Sequence, residues 1–410
     1  MKDFLIAEQT VAFPEVDLTK RIIGSYSGNT PGPNLVFFGG IHGNELSGIY
    51  ALKKVIDELN DLKPDYKGTL IAIAGNLQAI AINQRFIGKD LNRIWFPGTI
   101  VPKKEKKSIP EYQEKIEILE ELTKIVANGA PTFIFDLHTT SSQSMPFISI
   151  SDTLKNRKIV RNIPVNMVFG LEELLDGPMF SFLSELGLPA ILFEAGQHDA
   201  VLSYKNHVAF VWSMICQLKA LRKREIPDYS SYLQTLQKST PGGHKAFEIK
   251  HRYIIGKDEH FKMKEGFVNF QSVEKGQTIA YNQKGAIRSA RQGYIFMPLY
   301  QSQGCDGFFL VKEIKPFWLK LSSRTRRMKL DKALPLLPGI RRNKMKLEAY
   351  NIDKNIARFR VISLLHLLGF RKVQDNGNTL TMSRRPYDRR FPKASVVKKN
   401  IEAYLRVLRN

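Results

Sequence analysis

His42 and Glu45 stand three residues apart in Gly39-Gly40-Ile41-His42-Gly43-Asn44-Glu45, directly after the apolar run Asn34 to Phe38. A neutral imidazole and an ionised carboxylate are good ligands for a first-row metal, and a catalytic zinc takes three protein ligands while keeping one position open for water. The pair is therefore part of a metal site in search of a third ligand. His138, in Asp136-Leu137-His138 at the end of a second apolar run, Thr132 to Phe135, is the best candidate. Of the eight histidines, His42 and His138 alone close strong hydrophobic strands inside polar, small-residue loops, which is where open parallel sheets put their ligands. His198 is the nearest competitor, but it lies beyond Glu194 in Ala190-Ile191-Leu192-Phe193-Glu194-Ala195-Gly196. A carboxylate at a third strand end suits the work of a general base on water activated by a metal.

Each of these residues also has an ordinary reading. Glu45 could be a helix N-terminal carboxylate facing the macrodipole. Asp90-Leu91-Asn92-Arg93 could by itself be a capped turn. Asp136 shares a strand face with His138, where it either accepts a hydrogen bond from a ligand imidazole or is a buried structural carboxylate.

Taken together and in order, His42-Gly43-Asn44-Glu45, Gln84-Arg85-Phe86, Asp90-Leu91-Asn92-Arg93, Asp136-Leu137-His138 and Phe193-Glu194-Ala195-Gly196 resemble the succinylglutamate desuccinylase and aspartoacylase family of zinc carboxypeptidase-like hydrolases. The resemblance covers roughly residues 30 to 315. It implies that His42, Glu45 and His138 bind one zinc ion (Zn2+) per chain, that Arg85 polarises the scissile carbonyl, that Asn92 and Arg93 hold a substrate carboxylate, and that Glu194 activates water. A guanidinium suits that clamp because its planar fork matches a carboxylate. The implied activity is removal of an acyl group from an N-acyl amino acid. Thr139-Thr140 follows His138 where aspartoacylases carry an asparagine first, which leaves the acyl group and the amino acid open. A metallocarboxypeptidase acting on short peptides would use the same machinery, and a non-enzymatic binding protein with a basic effector tail is the reading of a different class.

The elements that must position these residues form three regions. Residues 1–225 alternate apolar runs at 34–38, 69–74, 132–137, 147–150, 165–169 and 190–193 with helical stretches such as Glu45 to Leu59, an α/β pattern with a mixed, mainly parallel sheet flanked by helices. Residues 243–318 read as short strands with glycine-containing turns, a small β domain that, by the resemblance, narrows the cleft. It offers Tyr281, Tyr294 and Tyr300 as substrate contacts without distinguishing among them. Residues 320–410 carry 24 Lys and Arg against 6 Asp and Glu, so 24 − 6 = +18 of the chain's +23 lies there. Within this basic α+β appendage, Ser322 to Lys346 reads as an irregular linker. An apolar helix around Ile356, Phe359 and Leu368, a hairpin at 371–384 and a last amphipathic helix at 394–408 follow. Such charge attracts polyanions, a nucleic acid or an anionic membrane surface, unless it packs on an acidic face of the same chain. A chain ending near Pro316 would keep the chemistry provided that the appendage covers no apolar surface.

The 43% hydrophobic content suffices for a packed core. Two cysteines, Cys216 and Cys305, exclude a disulfide framework, though not a single bridge. Met1 to Thr10 shows no secretory signal and no apolar run approaches the ~18 residues of a membrane span. A cytoplasmic address is expected.

Overall fold

The computed structural model describes residues 13–95, 103–175, 177–346, 348–357 and 361–409. Met1 to Thr10 and Phe359 lie outside them. Eight strands build the first part of the central sheet: β1 (Ile22–Ser27), β2 (Thr30–Gly39), β3 (Lys67–Ala74), β4 (Thr132–Thr140), β5 (Phe147–Ile150), β6 (Asn166–Phe169), β7 (Ala190–Gln197) and β8 (Ala246–Ile254). Five of their seven pairings are parallel. β9 (Lys262–Met263), β10 (Ser272–Val273), β11 (Thr278–Asn282), β12 (Gly285–Arg288), β13 (Gly293–Phe296) and β14 (Asp306–Ile314) follow. The resulting order is β1-β3-β2-β4-β7-β5-β6-β8-β14-β13-β10, with β12-β11-β9 as a separate small sheet. The second region thus splits: β8 joins the central sheet through a parallel pair with β6, β14, β13 and β10 extend it through antiparallel pairs, and β9, β11 and β12 stand apart.

The apolar runs are continuous rather than alternating because the sheet is covered on both faces, as parallel strands require. Leu35 and Phe37 of β2 pack with Phe135, Phe193 and Phe210 on one face, under the helices Ser47–Leu62 and Val201–Gln217. Val36 and Phe38 point the other way, into a cluster with Ile134, Leu192, Leu119 and Leu122, as the period of two along a strand dictates. The helices Pro110–Val126 and Val201–Gln217 supply Leu119 and Leu122 to the one cluster and Phe210 to the other. Cys216 and Cys305 are free thiols, and among the described residues no helix is long and apolar enough to cross a membrane.

The 320–410 segment departs from the linker reading. Ser322–Arg327 belongs to a helix, Pro316–Arg327, which continues into a 3-10 turn, Leu330–Leu336. Pro316 sits in its first turn, where a missing N–H costs nothing. Strands β15 (Ile340–Arg342), β16 (Ala349–Asp353), β17 (Phe370–Asn376) and β18 (Thr379–Arg384) form a further antiparallel sheet in the order β15-β16-β18-β17, with a short helix, Val361–Leu367, between β16 and β17. The last helix, Ala394–Arg409, inserts Val397, Ile401 and Leu405 into the cluster that holds Phe38 and Ile134. The appendage therefore covers apolar surface and cannot be removed at Pro316 without opening the core.

Part of the appendage's charge is paired with acids of the same chain. Asp152, completely buried, receives Arg157 of the following helix, Leu154–Val160, together with Arg326 at 3.2 Å and Arg371 at 2.9 Å from the appendage. Arg371 also meets Glu248 at 2.6 Å, and Arg385 meets Glu185 at 2.9 Å and Glu172 at 3.6 Å. Burial alone would raise the Asp152 pKa, but the three guanidinium groups hold it well below the usual carboxylate range. Taking away the partners of such a buried charge is costly, about 3–5 kcal/mol per pair.

Candidate metal centre and active site

Three strand ends converge. β2 and β4 pair with Gly39 opposite Leu137, and β4 and β7 pair with His138 opposite Glu194, so the loops after β2, β4 and β7 meet on one edge. Gly43 makes the first loop compact: a Cβ there would lie 2.2 Å from the carbonyl carbon of Ala79, and its N–H donates to the Arg85 carbonyl at 3.2 Å. That contact draws the Arg85 segment onto the His42 loop. Glu45 lies two residues before the helix Ser47–Leu62 and is buried, turned into the site rather than along the helix surface.

His42, Glu45 and His138 each offer a ligand atom, all within 4.8 Å of one another and all buried. Both imidazoles address Glu45 through Nδ1: His42 at 2.8 Å from Oε1 and His138 at 3.1 Å from Oε2. Their outer nitrogens both face carboxylates, His42 Nε2 at 3.0 Å from Asp90 and His138 Nε2 at 2.9 Å from Asp136. The Asp136 contact is close in distance but off hydrogen-bond direction. Carboxylates behind ligand imidazoles fix ring orientation and raise ligand basicity. Glu45 also accepts from Thr139 N at 2.9 Å and Arg85 Nη1 at 3.2 Å. Burial disfavours charge on Glu45 and on His138 alike, yet the histidines hold Glu45 well below the usual carboxylate range, and Asp136 with Glu45 holds His138 well above the usual imidazole range. Two nitrogens and a carboxylate oxygen with their outer partners in place fit a zinc ion.

Glu194 lies one strand over from His138, buried, with Oε2 lacking a hydrogen-bond partner among the described residues. Burial pushes its pKa up to about 8; His138 and Arg85 pull against this shift, and Glu45 and Asp136 add to it. A buried carboxylate so poised, beside a cluster of metal-ligand type, has the chemistry of a proton acceptor and donor near neutral pH.

A cavity of about 320 Å³ opens beside this group, lined by Arg85, Asp90, Arg93, Thr139 and Thr140 on one side and by the 297–309 segment on the other. Arg85 spans Glu45 and Asp90, donating to the latter at 3.2 Å. Asn92 is placed beneath the cavity rather than in its wall: its Oδ1 accepts from Met179 N at 2.8 Å, tying it to the helix Met179–Leu186. Arg93 lines the cavity, with one Nη on Asp306 at 3.2 Å and the other on its neighbour's carbonyl, Asn92 O, at 3.0 Å. Each Nη keeps a second N–H, so an end-on fork remains. No tyrosine is among the described lining residues; the Tyr300 hydroxyl donates to Lys264 O at 2.8 Å and accepts from Phe267 N at 3.0 Å.

Residues 31–211 match the succinylglutamate desuccinylase/aspartoacylase catalytic domain. They are a catalytic domain of that family. A probable aspartoacylase of Acaryochloris marina is 32% identical over 121 residues, 29% of this chain and 39% of that protein. One of Trichodesmium erythraeum is 31% identical over 109 residues, 26% of this chain and 36% of that protein. The matched stretches thus span under two fifths of these relatives' length. A succinylglutamate desuccinylase from Vibrio cholerae shares the fold with a TM-score of 0.52 at 16% identity, over 70% of this chain and 82% of that one. A succinylglutamate desuccinylase/aspartoacylase from Rhodobacter sphaeroides gives 0.52 at 15%, over 71% and 88%.

Three contributors to this desuccinylase/aspartoacylase domain escape a sequence reading. Asp90 does cap the turn Leu91–Arg93, accepting from Asn92 N at 2.8 Å, but the same carboxylate also holds His42 and Arg85. Asp306, at the start of β14, arrives from 213 residues away to orient Arg93 and is itself held by Arg252 at 2.6 Å. Lys115 is buried behind the Asn92–Arg93 turn, donating to Ile94 O and to the Tyr404 hydroxyl of the last helix, both at 2.7 Å, over the rings of Tyr404 and Trp95. Burial pushes its pKa down to about 7. A signal for Lys115 did exist, since it sits at helical spacing among buried Tyr112, Ile118, Leu119 and Leu122.

Proposed function

We propose that this chain is a zinc-dependent amidohydrolase that removes the acyl group from an N-acyl amino acid, with one zinc per chain held by His42, Glu45 and His138. The observation that carries the reading is the convergence of two imidazole Nδ1 atoms on the Glu45 carboxylate, with buried Glu194 on the neighbouring strand. Zinc at these residues would supply Lewis acidity and lower the pKa of water. Glu194 takes the proton of the attacking water and returns it to the leaving amine. Arg85 donates to the oxygen of the scissile carbonyl as negative charge develops there, the moment at which a fixed donor contributes most. Arg93 receives the substrate carboxylate on its free N–H pair, and Asp306 keeps the guanidinium plane in place. Asn92, bound to Met179 N, acts by fixing the turn that presents Arg93.

A cavity of about 320 Å³ walled by the 297–309 segment favours a small N-acyl amino acid over a peptide chain. The free thiols of Cys216 and Cys305 suit a reducing compartment, and a cytoplasmic address belongs to the proposal. The test is a panel of N-acyl amino acids assayed beside short peptides with free C-termini. Hydrolysis of the former is expected, and turnover confined to the peptides would assign a carboxypeptidase instead.

Arg93→Lys keeps the charge and loses the fork. Substrate binding is expected to weaken by about 1.5–3 kcal/mol, the range of a charged hydrogen bond, read as a rise in KM. The parent enzyme should also discriminate against the carboxamide form of its substrate. Equal rates on acid and amide would remove the clamp from the account.

A further inference from the structure

Two sets stand out among the cations of the appendage, and the second has no carboxylate partner among the described residues. Arg326, Arg371, Arg384 and Arg385 are buried and paired. By contrast, every lysine and arginine from 315 to 346 other than Arg326 is exposed, and none has a carboxylate within ion-pair distance among the described residues. The one acid of this stretch, Asp331, is taken by Arg384 at 3.1 Å and Arg389 at 3.7 Å.

The same stretch leaves large apolar side chains in solvent. Phe317 and Trp318 form an exposed ring pair at the start of the helix Pro316–Arg327, Leu336 and Leu337 end the 3-10 turn, and Met345 follows β15. Their exposure is high, 51% for Trp318, 84% for Leu336 and 99% for Met345. These elements are contiguous, because the 3-10 turn packs on both the helix and β15. The inner face of the helix is fixed: Ser322 donates to Leu367 O at 2.7 Å and Arg326 reaches Asp152. Its outer face repeats at helical spacing as Phe317, Lys320, Arg324 and Arg327.

We propose that this face is a peripheral docking surface for an anionic lipid bilayer. Unpaired cations whose one intervening carboxylate, Asp331, is already engaged by Arg384 and Arg389 call for a polyanion. Exposed aromatic and aliphatic side chains among those cations call for an apolar phase at the same place. An anionic membrane interface offers both, with Lys and Arg at the headgroups and Trp, Phe and Leu in the acyl boundary. Single-stranded nucleic acid would use the charge but offers no apolar phase to Leu336, Leu337 or Met345. It is also bound through a series of stacking rings, which this face lacks beyond Phe317 and Trp318.

Trp318 makes the proposal readable in the full-length protein, because Trp95 and Trp212 are buried and a change in tryptophan emission on binding reports Trp318. The protein is mixed with vesicles of phosphatidylcholine containing roughly one-third phosphatidylglycerol, and with pure phosphatidylcholine vesicles, and followed by co-sedimentation and emission. The expected result is co-sedimentation with the anionic vesicles alone, a blue shift of emission, and loss of binding at high salt. The double variant Leu336→Ser and Leu337→Ser should bind roughly tenfold more weakly, and Arg341→Gln with Arg342→Gln should also weaken binding. Either pair lies outside the catalytic site, so hydrolysis of a small substrate checks folding. Unchanged Trp318 emission with anionic vesicles would overturn the proposal. So would binding of a single-stranded RNA as tight as that of vesicles and indifferent to the leucine substitutions, which would assign the face to nucleic acid.

Discussion

Glu194→Gln is expected to keep its metal while kcat falls by roughly 10²-fold or more, the usual scale of general acid–base help. The substitution preserves size and burial and removes only the capacity to exchange a proton, so zinc content measured beside kcat separates chemistry from metal binding. Near-normal turnover would remove Glu194 from the mechanism. The metal-free protein carries a second signature. Burial raises the Glu194 pKa from its ordinary value of 4.5 to about 8, so in the folded state the group stays protonated where the unfolded chain has already ionised. The associated stability is fully present below pH 4.5 and is lost as pH rises through 8. Apoprotein with glutamine at this position should therefore gain stability relative to the parent as pH rises across that window, read as a growing difference in Tm.

His138→Ala should lose both zinc and turnover. The substitution removes one of three ligands and leaves Glu45 and Asp136 buried without the imidazole between them. Asp136→Asn is the graded comparison. It keeps every ligand and weakens only the outer contact to Nε2, for which a loss of about 10–100-fold in metal affinity or activity is expected. Metal analysis on both variants ranks them. Stoichiometric zinc in His138→Ala would show the assigned ligand set to be wrong.

The trio was legible in the sequence because each member follows an apolar run that reads as a buried parallel strand, and short loops at such strand ends have little freedom in where they point. Glu194 was legible for the same reason. What surrounds them was not. Asp90 looks like a turn residue and is one, and nothing local announces that its second oxygen reaches Arg85 while the first serves His42. Asp306 depends on β14 joining the catalytic sheet beside β8, a pairing fixed by the tertiary fold alone. The appendage shows the limit most clearly. Its charge was plain, but the acids it docks on, Asp152, Glu172, Glu185 and Glu248, are scattered singly along the chain and look like ordinary surface carboxylates. Ser322–Arg327 reads as linker in the sequence because the buried face of the helix Pro316–Arg327 holds Ser322 and Arg326, with Leu319 half-buried, in place of an apolar stripe. A buried arginine that satisfies a buried aspartate is invisible to hydrophobic periodicity.

Zinc titration of chelator-treated protein, with hydrolysis of the best N-acyl amino acid followed at each addition, tests the central claim most directly. Activity should be absent without metal, rise in proportion to zinc and break at about one ion per chain. Full turnover by the metal-free protein, or a tightly bound stoichiometric zinc that confers no hydrolysis on any N-acyl amino acid, would contradict it.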